Sequence, residues 1–345
     1  MPERLGHAWV LSKTLGQNLG LLGGKANAVS GCGWSGAIQI CRSSTLSKLL
    51  CYTFQILKML LRRTCNALCG VGGSSRAAFL SKSLSTKANN IQPLASPYKV
   101  VSLKDRWDLV DEFHRLSDGA WDSCKFVLED KVNLECWELL VETQKEFHLM
   151  MLDENDSIAA CMSVAPIKYD GELKDLPDGG WDWVVKKALE DFNAGLTPNQ
   201  LCALQIVIVE RGHGLSYAAL NEMVILGKEK GFKNILAPVR PTGKHLYPLT
   251  DIEEYITWKH DKDESMPFDA WLRVHVRAGG DIIKVCKESM KVEGTLEQWS
   301  KWTNLQFQTS GPYVVKEALN PVEFNVEKDL GLYIESNVWV NHTIR

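Results

Sequence analysis

The stretch "LCALQIVIVERGHGLSYAALNEM" (201–223) decides how the chain is read. It begins as a near-continuous apolar run, β-branched at 207–209, of the kind a strand needs when both its faces are covered. It then turns through Arg-Gly-His-Gly, and from Leu215 the residues Leu215, Ala219, Met223 and Leu226 form one stripe at helical spacing, with Gly231 ending the helix. A strand handed to a helix through two glycines makes successive backbone N–H groups converge at the helix N-terminus. The aligned peptide dipoles add about half a positive charge there. Such a turn is an anion site. The Walker pattern Gly-x4-Gly-Lys-Ser/Thr is absent, and Gly-x-Gly-x-x-Gly does not fit, since only Gly212 and Gly214 are present.

Working outward, "YKVVSL" (98–103) reads as a strand, and Asp105 is placed to cap a helix carrying Trp107, Val110, Phe113 and Leu116. A second helix fits "LECWELLVETQKEFH" (134–148), and "LMMLDENDSIAACMSVAPI" (149–167) reads as a hairpin around a polar turn. "WDWVVKKALEDFNAG" (181–195) is a helix closed by Gly195. After the quoted stretch, "NILAPV" (234–239) is a strand, and "KHLYPLTDIEEYITW" (244–258) is a helix interrupted near Pro248. The tail from 269 to 345, rich in Val, Trp and Tyr, reads mostly as β-structure with short helices.

The front of the chain is chemically different. No acidic residue occurs between Glu3 and Asp105, and residues 1–92 carry eleven Lys or Arg against one acid, whereas the remainder carries 28 basic and 41 acidic residues. An Arg- and Ser-rich, acid-poor segment is the composition of an organelle presequence. The stretch from Met59, "MLLRRTCNALCGVGGSSRAAFLSKSLSTKANN", has that composition by itself, so translation starting at Met59 is one expectation. Mitochondrial localisation follows, with a plastid or the cytoplasm as the alternative if the leader is a gene-model artefact. The apolar run "LLCYTFQILKMLL" (49–61) contains Gln55 and Lys58 in only thirteen residues, short of the roughly 20 a membrane span requires. A basic block confined to the leader, ahead of a remainder with 28 basic and 41 acidic residues, argues against nucleic-acid binding by that remainder. The cysteines of that remainder, Cys124, Cys136, Cys161, Cys202 and Cys286, are scattered among apolar neighbours with no C-x-x-C pair, so buried thiols are expected and no metal.

Arg211, Gly214 and Ser216 fit the pattern Arg-x-x-Gly-x-Gly/Ala, with Ser in the last place. With the strand before and the helix after, the turn resembles the pyrophosphate loop of the GNAT superfamily of acyl-CoA N-acyltransferases. The order of elements over about 98–260 agrees with that family. The resemblance implies an α/β (α+β) fold: a mixed central sheet flanked by helices. It implies that Val207, Ile208 and Val209 face the pantetheine of acetyl-CoA or another acyl-CoA, and that Arg211, Gly212, His213, Gly214, Leu215 and Ser216 cradle its phosphates. The expected organisation is a leader (1–92), a GNAT-like acyl-CoA-binding domain (93–268) and a β-rich C-terminal extension (269–345) packed on it. Tyr247 stands seven residues after Arg240, where family members place a tyrosine seven after an Asn, which makes it the candidate acid for the departing thiolate.

One more stretch bears on the acceptor. Read as a strand, "DAWLRVHVRAGG" (269–280) puts Trp271, Arg273, His275 and Arg277 on one face. Such a face is either a solvated sheet edge or a site where Arg273 and Arg277 bind an anionic group on the acceptor and His275 serves as base. The expected function is acyl transfer from acetyl-CoA to a small, anionic amine. A non-catalytic acyl-CoA sensor, or a decarboxylase on the same fold, is the alternative. The sequence leaves the oligomeric state open.

Overall fold

Turn chemistry lays the first half of the chain into an antiparallel meander. The structure, a computed structural model, describes residues 97–209 and 214–345. Strand β1 (Lys99–Ser102) pairs with β2 (His148–Leu152), which forms the expected hairpin with β3 (Ile158–Ile167). In that turn the Asp153 carboxylate accepts the N–H groups of Asn155 and Ser157, both at 2.8 Å. Between β1 and β2 a 3-10 turn (Trp107–Leu109) leads into α1 (Val110–Gly119), and a π-type turn (Asn133–Trp137) into α2 (Glu138–Thr143). Asp105 does not cap α1: its carboxylate accepts the Ser102 hydroxyl at 2.7 Å and closes the turn after β1 instead.

Helix α3 (Gly180–Ala194) ends as anticipated at Gly195, whose φ of 67° lies in the left-handed region that favours a residue without Cβ. Strand β4 (Gln200–Ile208) returns antiparallel to β3, helix α4 (Leu215–Glu229) crosses over, and β5 (Asn234–Val239) lies parallel to β4. The expected interrupted helix is a 3-10 turn (Lys244–Leu246) followed by one turn of helix α5 (Ile252–Tyr255). A two-residue strand β6 (Lys259–His260) then pairs with β7 (Asp263–Pro267) in a small sheet of their own.

Residues 269–280 are not a strand. They form helix α6 (Ala270–Arg277), because the Asp269 carboxylate caps the N–H groups of Trp271 and Leu272, and Gly279 at φ 85° stops it. Apolar alternation in eight residues also satisfied a helical stripe, and the caps at both ends decide between them. Strand β8 (Gly280–Gly294), helix α7 (Leu296–Thr303), strands β9 (Gly311–Tyr313), β10 (Val322–Asn325) and β11 (Leu330–Thr343) complete the fold.

The main sheet runs β1-β2-β3-β4-β5-β11-β10-β9, with β8 also paired to β11. It is a mixed sheet flanked by helices, as expected. The last strand therefore sits inside it: β11 pairs with β5 from Val338↔Val239 to Thr343↔Asn234. The residues after 269 complete the central sheet rather than lie on it. One core joins Phe113, Leu140, Val184 and Trp339 on the α1–α3 face, and a second joins Leu215, Met223, Ile235 and Val338 on the α4 face. A third, around Phe126, Trp299, Phe324 and Tyr333, holds the β10 side. Among the described residues no helix is long and apolar enough to cross a membrane.

Candidate active site

Strands β4 and β5 are in register at only two pairs, Leu201↔Ile235 and Cys202↔Leu236, and then part. Beyond them, β4 keeps β3 on one side and β5 keeps β11 on the other, so the edges that face each other across the gap are unpaired. Such an edge is a row of N–H and C=O groups ready for an extended ligand. A register shift opposite Ser163/Val164 puts a bulge in β4 between Ala203 and Gln205, where the gap opens. The gap is a cavity of about 750 Å³, lined by Ala203–Ile208 of β4 with the following Val209 and by Ala237–Val239 of β5 with the following Arg240. This volume is ample for the reacting part of a thioester and a small acceptor.

One end of the cavity reaches the start of α4. Val207, Ile208, Val209 and Ser216 line it, while Leu215 is buried in the core beneath. Gly214 has φ 70°, and a Cβ built there would meet nothing within 4 Å, so the position is open as well as left-handed. Among the described residues no side chain caps α4; the Tyr217 N–H bonds the Gly214 carbonyl at 3.0 Å, and the N–H groups of Leu215 and Ser216 stand at the helix start, where an acceptor such as phosphate would bind. Arg211, Gly212 and His213 lie outside the described residues. The unpaired β4 edge, the left-handed glycine and the uncapped helix start fit the pantetheine and phosphates of an acyl-CoA.

The other end is aromatic and charged. Trp121, Trp137 and Trp181 line it, and Trp181 donates its indole N–H to the Leu204 carbonyl at 3.2 Å, fixing the bulge. Gln205 donates to the Ser117 hydroxyl at 2.7 Å and so ties β4 to α1. Arg240, which follows β5, gives its Nε–H to Glu335 of β11 at 3.0 Å and an Nη2–H to the Glu317 carbonyl at 2.7 Å. Its Cζ lies 5.6 Å from the centre of the Trp121 ring system. Burial is the largest single influence and works against the Arg240 charge, but the attraction and hydrogen bond of Glu335, with Tyr333 and Cys124 nearby, together outweigh it, and the guanidinium holds its proton more tightly than usual. Glu335, 1% exposed, also accepts the Tyr333 hydroxyl at 2.9 Å and the Asn337 amide at 3.0 Å.

The acceptor residues expected from the sequence are placed differently. His275 does line the cavity, but it is buried, with its Nδ1 2.9 Å from His342 Nε2. Burial, with the His342 ring beside it, lowers its pKa to about 3, which makes it a weak base. Arg273 and Arg277 do not share a strand face with it. Arg273 donates from Nη1 to the carbonyls of Pro267 (2.9 Å) and Phe268 (2.7 Å), and Arg277 is exposed at the end of α6. Neither lines the cavity. Tyr247 stands outside the lining as well, edge-on to Trp258 at 4.9 Å among Tyr255 and Phe268. Sequence reasoning missed Arg240 and Glu335. Their signal was a charge at the end of one apolar run, "NILAPVR", and inside another, "LYIESNVWV". Among the described residues no cluster of His, Cys, Asp and Glu could hold a metal ion.

No family model matches the chain. It is 30% identical over 263 residues to the arginine N-acetyltransferase avaD of Aspergillus versicolor, a match covering 68% of this chain and 89% of that protein. Among solved structures it is similar to the loading GNATL domain of CurA from Lyngbya majuscula, at 15% identity over 72% of this chain and 98% of that one, with a TM-score of 0.43. It is also similar to the GphF GNAT-like decarboxylase in complex with isobutyryl-CoA, at 14% identity over 72% of this chain and 100% of that one, with a TM-score of 0.38. On the relationship to avaD, the chain belongs to the GNAT superfamily of acyl-CoA N-acyltransferases and is an acyltransferase.

Proposed function

We propose that this enzyme transfers the acetyl group of acetyl-CoA to the amino group of a small acceptor, and that it does so in mitochondria. The observation that carries the reading is the parting of β4 and β5, which opens a cavity walled by an unpaired strand edge on the donor side and by indoles and an Arg–Glu pair on the other. The β4 edge at Val207–Val209 pairs with the pantetheine, and the turn from Arg211 to Ser216 holds the phosphates. The acceptor enters from the Trp121–Arg240 end. Its nitrogen attacks the thioester carbonyl, a C–N bond forms and the C–S bond breaks. The sulfur leaves as CoA thiol, with the proton the amine gives up. Only the unprotonated amine is a nucleophile, so the rate should rise with pH through the acceptor's own titration.

The name of avaD supports an amino acid or a related amine as acceptor. The mitochondrial placement rests on the acid-poor, basic front of the chain, which lies outside the described residues. The experiment is to incubate the purified full chain with acetyl-CoA and a panel of amines, reading free thiol and product mass together. A product heavier by one acetyl group, formed in step with thiol, is the expected result. Thiol release without an acetylated amine would replace transfer with hydrolysis.

A further inference from the structure

The acceptor end of the cavity contains an oddity that acyl transfer alone does not require. A guanidinium and a carboxylate, Arg240 and Glu335, form an ion pair in a wall that also carries indoles, aliphatic side chains and the polar groups of Gln205, Thr242 and Asn337. A buried ion pair contributes little net stability, because removing both charges from water offsets their attraction. The pair therefore calls for another explanation, and the hydrogen bonds around it give one.

Glu335 is held on both oxygens: Oε2 by Arg240 and the Tyr333 hydroxyl, Oε1 by the Asn337 amide. Asn337 is itself fixed by the Ser289 hydroxyl, which donates to its Oδ1 at 2.7 Å. Arg240 is held at Nε by Glu335, at Nη2 by the Glu317 carbonyl, and across its plane by Trp121. A guanidinium has five N–H donors, and these bonds use two. Nη1 has no acceptor among the described residues, and it is not one of the sealed polar atoms that lack a partner. The guanidinium thus lines the cavity with its orientation fixed and its Nη1 edge unused. A rigid planar fork with an unused edge is the group that recognises a carboxylate by two parallel hydrogen bonds. Because Tyr333 and Asn337 also donate to Glu335, its charge is shared among three donors and does not cancel the outward edge of Arg240.

We propose that Arg240 binds a carboxylate on the acceptor, so that the enzyme acetylates amino acids in preference to amines lacking the acid group. This rests on the acetyltransfer reading above and names the substrate class for it. Arg240 is a specificity residue that touches the acceptor and takes no proton.

The test uses the full chain with saturating acetyl-CoA and matched acceptors: arginine against agmatine, and phenylalanine against phenethylamine, each pair differing only in the carboxylate. The methyl ester of the favoured acid keeps the shape and removes the charge. The expected result is a kcat/KM about 10–100-fold higher for the acid than for the matched amine or ester, carried by KM. Arg240→Lys keeps the charge and loses the fork, so it should raise KM for the acid about tenfold and leave KM for acetyl-CoA unchanged. If that variant does not fold, the wild-type comparison decides alone. Equal or better turnover of agmatine, phenethylamine and the ester would overturn the inference while leaving acetyl transfer in place. Failure to acetylate any amine would overturn both.

Discussion

At Gly214 the backbone stands at φ 70° where β4 hands over to α4, and a Cβ there would touch nothing. Substitution is therefore costly through the backbone and not through a clash. An L-residue in this region costs about 1–2 kcal/mol, and Asn tolerates it better than a β-branched residue. Gly214→Val should weaken CoA binding by about tenfold or more, and Gly214→Asn by clearly less, as titration calorimetry would show; equal affinities for the two variants would contradict the account. Arg273 is a different case. It ties the turn between β7 and α6 through two backbone carbonyls, so Arg273→Ala should lower the melting temperature by about 2–4 °C with KM for the acceptor unchanged. Tyr247→Phe should keep kcat within about twofold, because the ring stands outside the cavity lining; a loss on the order of 10²-fold would return Tyr247 to the role of acid. The glycine and the Val207–Val209 strand were legible in the sequence because strand, turn and helix follow one another within a few residues. Arg240 and Glu335 were not, since 95 positions separate two residues that meet only when β11 is laid beside β5.

One carboxylate sets helix α6, and another titrates in the first turn of α3. Asp269 caps α6 with one oxygen, while the other accepts the Tyr255 hydroxyl at 3.0 Å and the Gly243 N–H at 2.7 Å, so one side chain joins three segments around the aromatic cluster. Asp269→Ala removes a cap and leaves buried donors unpaired, and should cost about 3 kcal/mol in urea unfolding. A loss below about 1 kcal/mol would show that water replaces the carboxylate. Missing this cap is also why α6 was read as a strand: its eight residues alternate well enough to hide the period. Asp182, in the first turn of α3, has a buried Oδ1 without a partner among the described residues, and burial, followed by the nearby Asp130, raises its pKa to about 8 from 3.8. The folded state therefore binds its proton more tightly than the unfolded chain. The stability this gives is complete below pH 3.8 and is lost as pH rises towards about 8. Asp182→Asn imitates the protonated group, so its melting temperature should exceed wild type by about 5 °C at pH 9 and converge with it near pH 4. A constant difference across that range would mean that Asp182 does not titrate as described.

For the molecule as a whole, alternation and turn residues disclosed the individual strands and helices because those signals are local, and the resemblance of the 211–216 turn to the GNAT loop implied the mixed sheet flanked by helices. Neither disclosed that the last strand inserts beside β5, since that pairing joins Val338 to Val239 across almost a hundred residues. The consequence is functional. By holding β5 on its far side, β11 leaves β4 and β5 free to part, and it brings Glu335 to the cavity wall. Cys124, Cys161, Cys202 and Cys286 are buried thiols, as expected, whereas Cys136 is only half-buried; burial pushes Cys161 and Cys286 up to about 12, so alkylating reagents should not inactivate the folded enzyme through those two. The central claim is that the gap between β4 and β5 is where acyl-CoA lies, and amide hydrogen exchange of the full chain with and without CoA tests it most directly. The account predicts saturable slowing of exchange in Ala203–Val209 and at the start of α4, with β11 unchanged. Unaltered exchange along β4 at a CoA concentration that stabilises the protein would contradict it.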